Sequence, residues 1–356
     1  MTGTQELLEI RGLAREFAQA ELRPHLERWD AAGGADADVA GKIAELGFYG
    51  MLVPESAGGM GFDVATWLTA LEQLAWGDAG VALAVTQSVI AADLLARFGG
   101  DDETLAALAA GSVIGCLAVA SADAGAVDAT QSDGAWKFTG TRRWVTNAPN
   151  AGLAVVLAGT GSEHALFALP RESGWTSGAR AMTMGLRTVP VTDIVLDGAQ
   201  AEAAARLSWS GTDVHDAIDP LGALSAAAIA VGIAQAALEH AVQYAGVREQ
   251  FGRPIRTFEG IQHKLAEMAT RTTAARALVE RAAAAPDDVA AAAMAKLSAG
   301  VCAMYVTTEA VQIYGGYGYM RDYPVEKLMR DAKAMEMLHG TSELQRLRIA
   351  QSLYAD

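Results

Sequence analysis

The residues best suited to chemistry cluster near the end of the chain, where Gln312 to Arg346 reads QIYGGYGYMRDYPVEKLMRDAKAMEMLHGTSELQR. Gly315, Gly316 and Gly318 let backbone amides approach a phosphate closely, although for the glycines alone a tight turn between packed helices is the simpler account. His339 brings an imidazole that exchanges protons near neutral pH. It stands at the head of a small polar turn, Gly340-Thr341-Ser342-Glu343. Upstream, Arg248 carries a guanidinium suited to charge-assisted bonds with phosphate oxygens. A lone arginine at a helix end would ordinarily be a cap or a solvated charge.

These groups need a scaffold, and the hydrophobic pattern predicts one in three parts. From Glu6 to about Gly111 the apolar residues recur at helical spacing, as in Leu7, Leu8, Ile10, Leu13 and Phe17. From about Ser112 to Ala204 the pattern alternates, giving strands at Trp136–Thr139, Arg143–Thr146, Leu153–Ala158, His164–Leu169 and Val189–Leu196, with Gly140 read as a turn. From Asp213 onward the chain is helical again, with one long helix expected over Leu221 to Val247. The expected fold class is therefore α+β, mainly α: an N-terminal helical domain (1–111), a middle antiparallel β domain (112–208) and a C-terminal four-helix bundle (209–356).

Composition excludes several functions. The formal net charge of −15, with no basic run, argues against nonspecific nucleic-acid binding. Cys116 and Cys302 are the only cysteines and fit neither a CxxC nor a metal-ligand spacing. No metal site is expected, and the natural setting is a reducing cytoplasm. The start, MTGTQELLEIRGLAREF, lacks a basic region followed by an apolar core, so no signal peptide is expected. The most apolar stretch, Leu221 to Ala234, is shorter than a bilayer span and reads as a buried helix.

Four strings in order along the chain resemble the acyl-CoA dehydrogenase family. Val53-Pro54-Glu55-Ser56-Ala57-Gly58-Gly59-Met60-Gly61 is similar to V-P-E-x-x-G-G-x-G, and Trp144-Val145-Thr146-Asn147-Ala148 to W-I-T-N-A. Arg248-Glu249-Gln250-Phe251-Gly252-Arg253-Pro254-Ile255 resembles R-x-x-F-G-x-P-I. The C-terminal string resembles Q-I-x-G-G-x-G-Y, R-D-A-K and Y-E-G-T-S-E. Met184-Gly185-Leu186-Arg187 also matches a family segment. The usual T-E-P-x-A-G-S-D loop survives only as Ser121 to Asp128, and the stretch before Trp144 is several residues shorter.

What the resemblance implies is an FAD-dependent α,β-dehydrogenation of an acyl-CoA thioester in a dimer or tetramer, homo- or hetero-oligomeric. An electron-transfer flavoprotein or similar acceptor would take the electrons. Trp144 would give the flavin an aromatic face, with Val145 beside it, and Thr146 a donor near N5; Ser121 is the candidate for the partner loop. Arg248, Phe251, Gln312, Ile313, Gly315 and Gly316, with Thr341, Ser342 and Glu343, would hold the distal half of FAD across a subunit boundary. Gln87 and Ser88 would face the acyl pocket, against the reading that a mid-helix polar pair is satisfied by backbone.

The family's catalytic glutamate precedes G-T, where this sequence has His339. A second family position for that glutamate falls near Gly222, so both usual sources of the base are absent. His339 is then itself the base, or marks a related flavin monooxygenase, or this chain is a non-catalytic or half-catalytic subunit. A histidine lining a polar crevice without proton transfer is the remaining reading.

Overall fold

The computed structural model describes residues 3–119, 126–132, 134–161, 163–209 and 214–354. Six helices come first: α1 (Thr4–Phe17), α2 (Leu26–Ala32), α3 (Val39–Glu45), α4 (Val64–Gly77), α5 (Ala79–Phe98) and α6 (Asp102–Ala109). Asp63, Asp78 and Asp101 cap α4, α5 and α6 by accepting from the third backbone amide of each, which satisfies donors that a helix start otherwise leaves open.

The sheet follows, with β1 (Gly115–Ala118), β2 (Val127–Ser132), β3 (Ala135–Thr146), β4 (Leu153–Gly159), β5 (His164–Pro170), β6 (Thr176–Arg180) and β7 (Val191–Glu202). Its path is β1-β4-β2-β3-β7-β6, with β5 on β4. Most pairings are antiparallel as expected, while β1 and β2 both run parallel to β4, Gly115 opposite Leu153 and Asp128 opposite Gly159. Gly140 corrects the expected turn: it lies inside the continuous strand β3, at φ 137. A Cβ there would stand 2.2 Å from the Ala126 carbonyl oxygen. This glycine permits a close strand crossing rather than a reversal.

The bundle consists of α7 (Val214–Val247), a short hairpin of β8 (Glu249–Gln250) and β9 (Arg253–Pro254), then α8 (Glu259–Ala283), α9 (Val289–Tyr314), α10 (Val325–Ala334) and α11 (Ser342–Ser352). The α7 helix overturns the length argument made from Leu221–Ala234. Pro220–Val247 is long and apolar enough to cross a membrane, and so are two other helices among the described residues. In α7, 83% of the apolar window is buried inside the protein, because alanines such as Ala227, Ala234, Ala237 and Ala241 let its neighbours approach closely.

One apolar core joins the N-terminal helices to the bundle, a second fills the sheet, and a third seats α5 and α6 on β1 and β4. Helix α5, like α7, contributes to both the first and the third. The capping residue of α5 is also the centre of a buried ionic knot. Asp78 accepts from Thr188 Oγ1 at 2.5 Å and from Lys327 Nζ at 3.0 Å. Lys327 also donates to Asp331 at 2.6 Å, and Asp331 accepts from the Leu186 amide at 2.6 Å. The knot ties α5, the loop before β7 and α10 at one point. Burial acts against charge on Lys327, but the two carboxylates outweigh it and raise its pKa.

A second polar contact makes stability pH-dependent. His240 on α7 meets the Arg23 guanidinium, and burial first, that cation second, push its imidazole down from 6.5 to about 4. The folded chain therefore stays neutral there while the unfolded chain takes up a proton. Stability contributed by this site is present above about pH 6.5 and is lost as pH falls toward 4. His240→Gln should flatten the acid side of a plot of unfolding midpoint against pH; an unchanged slope would remove His240 from the account.

Candidate functional site

A crevice of about 410 Å³ opens where the sheet meets α5 and α10. Its walls are Leu83 from α5, Trp144 and Thr146 from β3, Met182, Met184 and Leu186 from the loop after β6, and Met337 and Leu338 after α10. The register of β3 against β7 shifts between Arg142 and Val145, and Trp144 sits in that irregularity at φ 58. Bulges of this kind re-aim a side chain. The indole is 58% exposed, an unusual state for so large an apolar surface. Asp193 Oδ1 fixes the local backbone by accepting from the Trp144 amide at 3.2 Å.

Sequence reasoning placed Val145 with these residues, and its side chain belongs elsewhere. It is 2% exposed in the core of the sheet, because neighbouring side chains on a strand point to opposite faces. Only its backbone remains for a ligand in the crevice. Ser121 lies outside the described residues. Ser88 accepts from the Gly115 amide at 2.9 Å, so it is satisfied by backbone, and Gln87 is buried beside it.

The chain leaves the crevice wall at Leu338 and enters the His339 turn. His339 is half-buried at φ 52, and Gly340 follows at φ 96. Its imidazole lies against α7 at Gly222, where an added Cβ would be 2.3 Å from Nδ1. Positions 222 and 339 are thus neighbours in space, and one of them holds a ring that the other has no side chain to displace. Thr341 caps α11, accepting from the Leu344 amide at 3.3 Å.

A second pocket, of about 730 Å³, lies on the bundle. It gathers Arg248, Phe251, Ile313, Gly315 and Gly316 with Tyr244, Tyr314 and Tyr317. Tyr244 stacks on Tyr314 with centroids 4.0 Å apart, and Arg248 stands over the Tyr317 ring. Phe251, at φ 53, is 92% exposed at the tip of the β8–β9 hairpin. Gln312 is exposed at the end of α9, one residue before this lining begins. Thr341, Ser342 and Glu343 do not line it. The crevice and this pocket share no residue.

Sequence reasoning missed the polar groups behind the crevice. Asp78, Thr188, Lys327 and Asp331 join three distant segments, and Lys296 and Gln345 brace the His339 turn from α9 and α11. Lys296 had one usable signal, a lone cation within AAAAMAKLSAG.

A family model described as the acyl-CoA dehydrogenase C-terminal domain matches residues 220–354, and one described as the acyl-CoA dehydrogenase N-terminal domain matches residues 4–111. The chain is 37% identical to the acyl-CoA dehydrogenase of Bacillus subtilis (strain 168) over 377 aligned residues, covering 98% of each. The structure of butyryl-CoA dehydrogenase from Megasphaera elsdenii aligns over 100% of both chains with a TM-score of 0.95 and 32% identity. A chain in the structure of the electron transferring flavoprotein of Acidaminococcus fermentans aligns over 100% of both with a TM-score of 0.95 and 33% identity.

Proposed function

This chain belongs to the acyl-CoA dehydrogenase family, and from that premise we propose that it desaturates an acyl-CoA thioester between Cα and Cβ with His339 as the base. The observation that carries the reading is the placement of His339, in a strained backbone at the end of the crevice wall and against Gly222. Left-handed backbone at a non-glycine residue persists where the surroundings over-determine it, and such sites concentrate at functional positions.

The residues present fit FAD. The exposed Trp144 indole and the Thr146 hydroxyl offer a planar ring a stacking face and a donor, in a slot walled mostly by apolar side chains with Arg330 and Lys333 among its lining. Arg248, Phe251, Ile313, Gly315 and Gly316, next to Gln312, suit a diphosphate and an adenine: a cation, aromatic walls and open glycine backbone. When bound, FAD supplies the acceptor for the hydride that leaves Cβ. His339 takes the α proton onto its imidazole, and the electron pair left at Cα becomes the new double bond as the hydride departs. Thr341, Ser342 and Glu343 form the start of α11 next to this turn.

Because the crevice and the bundle pocket share no residue, we assign the pocket to the FAD of a second copy or of a homologous partner subunit. Phe251, Val247, Tyr319, Leu353 and Tyr354 leave large apolar surface exposed on the bundle, which an oligomer would cover. The likeness to a chain of an electron transferring flavoprotein structure supports a flavoprotein as electron acceptor. Both cysteines are buried and free, and burial raises their thiols, Cys116 to about 12 and Cys302 to about 11. That suits a reducing cytoplasm.

Arg248→Ala tests the shared cofactor site. Losing charge-assisted bonds to phosphate, about 1.5–3 kcal/mol, should weaken FAD retention roughly 10- to 100-fold. Flavin absorbance per chain after gel filtration is the readout. An unchanged ratio would take Arg248 out of the site.

The absence of a carboxylate at both base positions favours one alternative, a half-catalytic subunit that completes a partner's FAD site. It predicts that the chain purified alone lacks turnover and gains it with a glutamate-bearing homologue. Stoichiometric FAD with turnover in the isolated chain excludes it.

A further inference from the structure

The His339–Gly340 turn is gripped from behind by two helices. Lys296 on α9 is 1% exposed, and its ammonium donates to the Gly340 carbonyl at 2.6 Å. Gln345 on α11 is fully buried, and its Nε2 donates to the carbonyls of His339 at 3.0 Å and Gly340 at 3.4 Å. Taking an ammonium out of water is costly, and a carbonyl in a turn can be left to solvent instead. The protein nevertheless directs a buried charge at the Gly340 carbonyl and a buried amide at the carbonyls of both His339 and Gly340, the two peptides that follow the imidazole-bearing residue.

The front of the turn meets α7. A Cβ on Gly222 would lie 2.3 Å from Nδ1 of His339 and 2.9 Å from both Cγ and Cε1. Those distances are below any real Cβ contact, so even alanine at 222 forces the ring to move. Glycine in a helix interior is less favourable than alanine. The slot is therefore kept at some expense to α7.

We propose that Gly222, Lys296 and Gln345 are positioning residues for His339. Lys296 and Gln345 hold the left-handed turn from behind, and Gly222 is the gap on α7 that receives the edge of the ring. Strain at φ 52 is thereby maintained by three elements at once, α7, α9 and α11. This rests on the reading of His339 as the base.

The test uses the protein as purified and four variants, His339→Ala, Gly222→Ala, Lys296→Met and Lys296→Arg. Each is checked for flavin content and unfolding midpoint, so that a misfolded variant is recognised and the remaining ones decide. Two readouts follow: the single-turnover rate of flavin bleaching against acyl-CoA concentration, and the imidazole NMR resonances of His339, assigned by their loss in His339→Ala. The proposal expects Gly222→Ala to lower the limiting rate about 10- to 100-fold, with the half-saturating acyl-CoA concentration little changed, since a base displaced by about 1 Å is expected to cost on that order. Lys296→Met should lower the limiting rate in the same way, Lys296→Arg should recover most of the loss, and in both Gly222→Ala and Lys296→Met the His339 resonances should shift. Wild-type limiting rates in Gly222→Ala and Lys296→Met, beside a dead His339→Ala, overturn the positioning role while leaving the base intact. A fully active His339→Ala overturns the base instead. In that case the NMR readout still decides the mount, and unmoved resonances in Gly222→Ala overturn it.

Discussion

His339→Ala should bleach its bound flavin with acyl-CoA about 10²- to 10⁴-fold more slowly than the parent chain, the usual worth of general-base assistance. The measurement is anaerobic mixing of flavin-loaded protein with a saturating thioester, followed at the flavin absorbance. The loss should fall on the limiting rate, because the imidazole acts on the α proton in the transition state and contributes little to holding the thioester. His339→Glu is the informative partner variant. It places a carboxylate, itself a competent base, at the proposed catalytic position, and it should retain far more activity than alanine. A His339→Ala protein that turns over at the parent rate would transfer the chemistry to another group or another subunit.

Lys327→Met should destabilise the protein by about 3–5 kcal/mol, the cost of leaving buried charge uncompensated. The ammonium is the cation between Asp78 and Asp331, whose side chains are fully buried. Removing it leaves two carboxylates facing each other inside the knot. The loss should appear in a chemical-denaturation midpoint at about pH 7, and mild acid should recover part of it. Burial, above all, raises the Asp331 carboxyl, so that group is the first in the knot able to discharge itself once the lysine is gone. A change below about 1 kcal/mol would mean that the three segments are held together by apolar packing alone.

These two residues also show where sequence reading stops. His339 was visible because local order exposes it: a glycine break, a helix with R-D-A-K and a polar turn, all within thirty-five residues, Gln312 to Arg346. Arg248 and Phe251 were visible for the same reason, and the bundle does bring them to Gly315 and Gly316. The three-part alternation of helical and period-two patterns was equally legible, since each signal lies within a few turns or strand lengths. Lys327 was not legible, because its partner Asp78 is 249 positions away and nothing local marks either as buried. The parallel β1–β4 pair escaped for the same cause, a contact between residues that adjoin only once the chain is folded.

Gly140 failed differently. Between strand-forming residues a glycine is most simply a turn, and only the approach of the Ala126 carbonyl reveals why β3 needs one without reversing. Strand alternation separates the Val145 side chain from those of Trp144 and Thr146, which leaves only its backbone to the crevice. The long helix to Val247 was legible, but its apolar span was underestimated because only Leu221–Ala234 was compared with the thickness of a bilayer.

The most direct measurement is the visible spectrum of the purified chain, before and after anaerobic addition of acyl-CoA thioesters of increasing chain length. The account predicts about one FAD per chain in an oligomer, with the flavin bands bleached by at least one thioester and still oxidised in His339→Ala. A colourless chain that takes up no FAD in any oligomeric state, or a flavin that stays oxidised with every thioester, would contradict it.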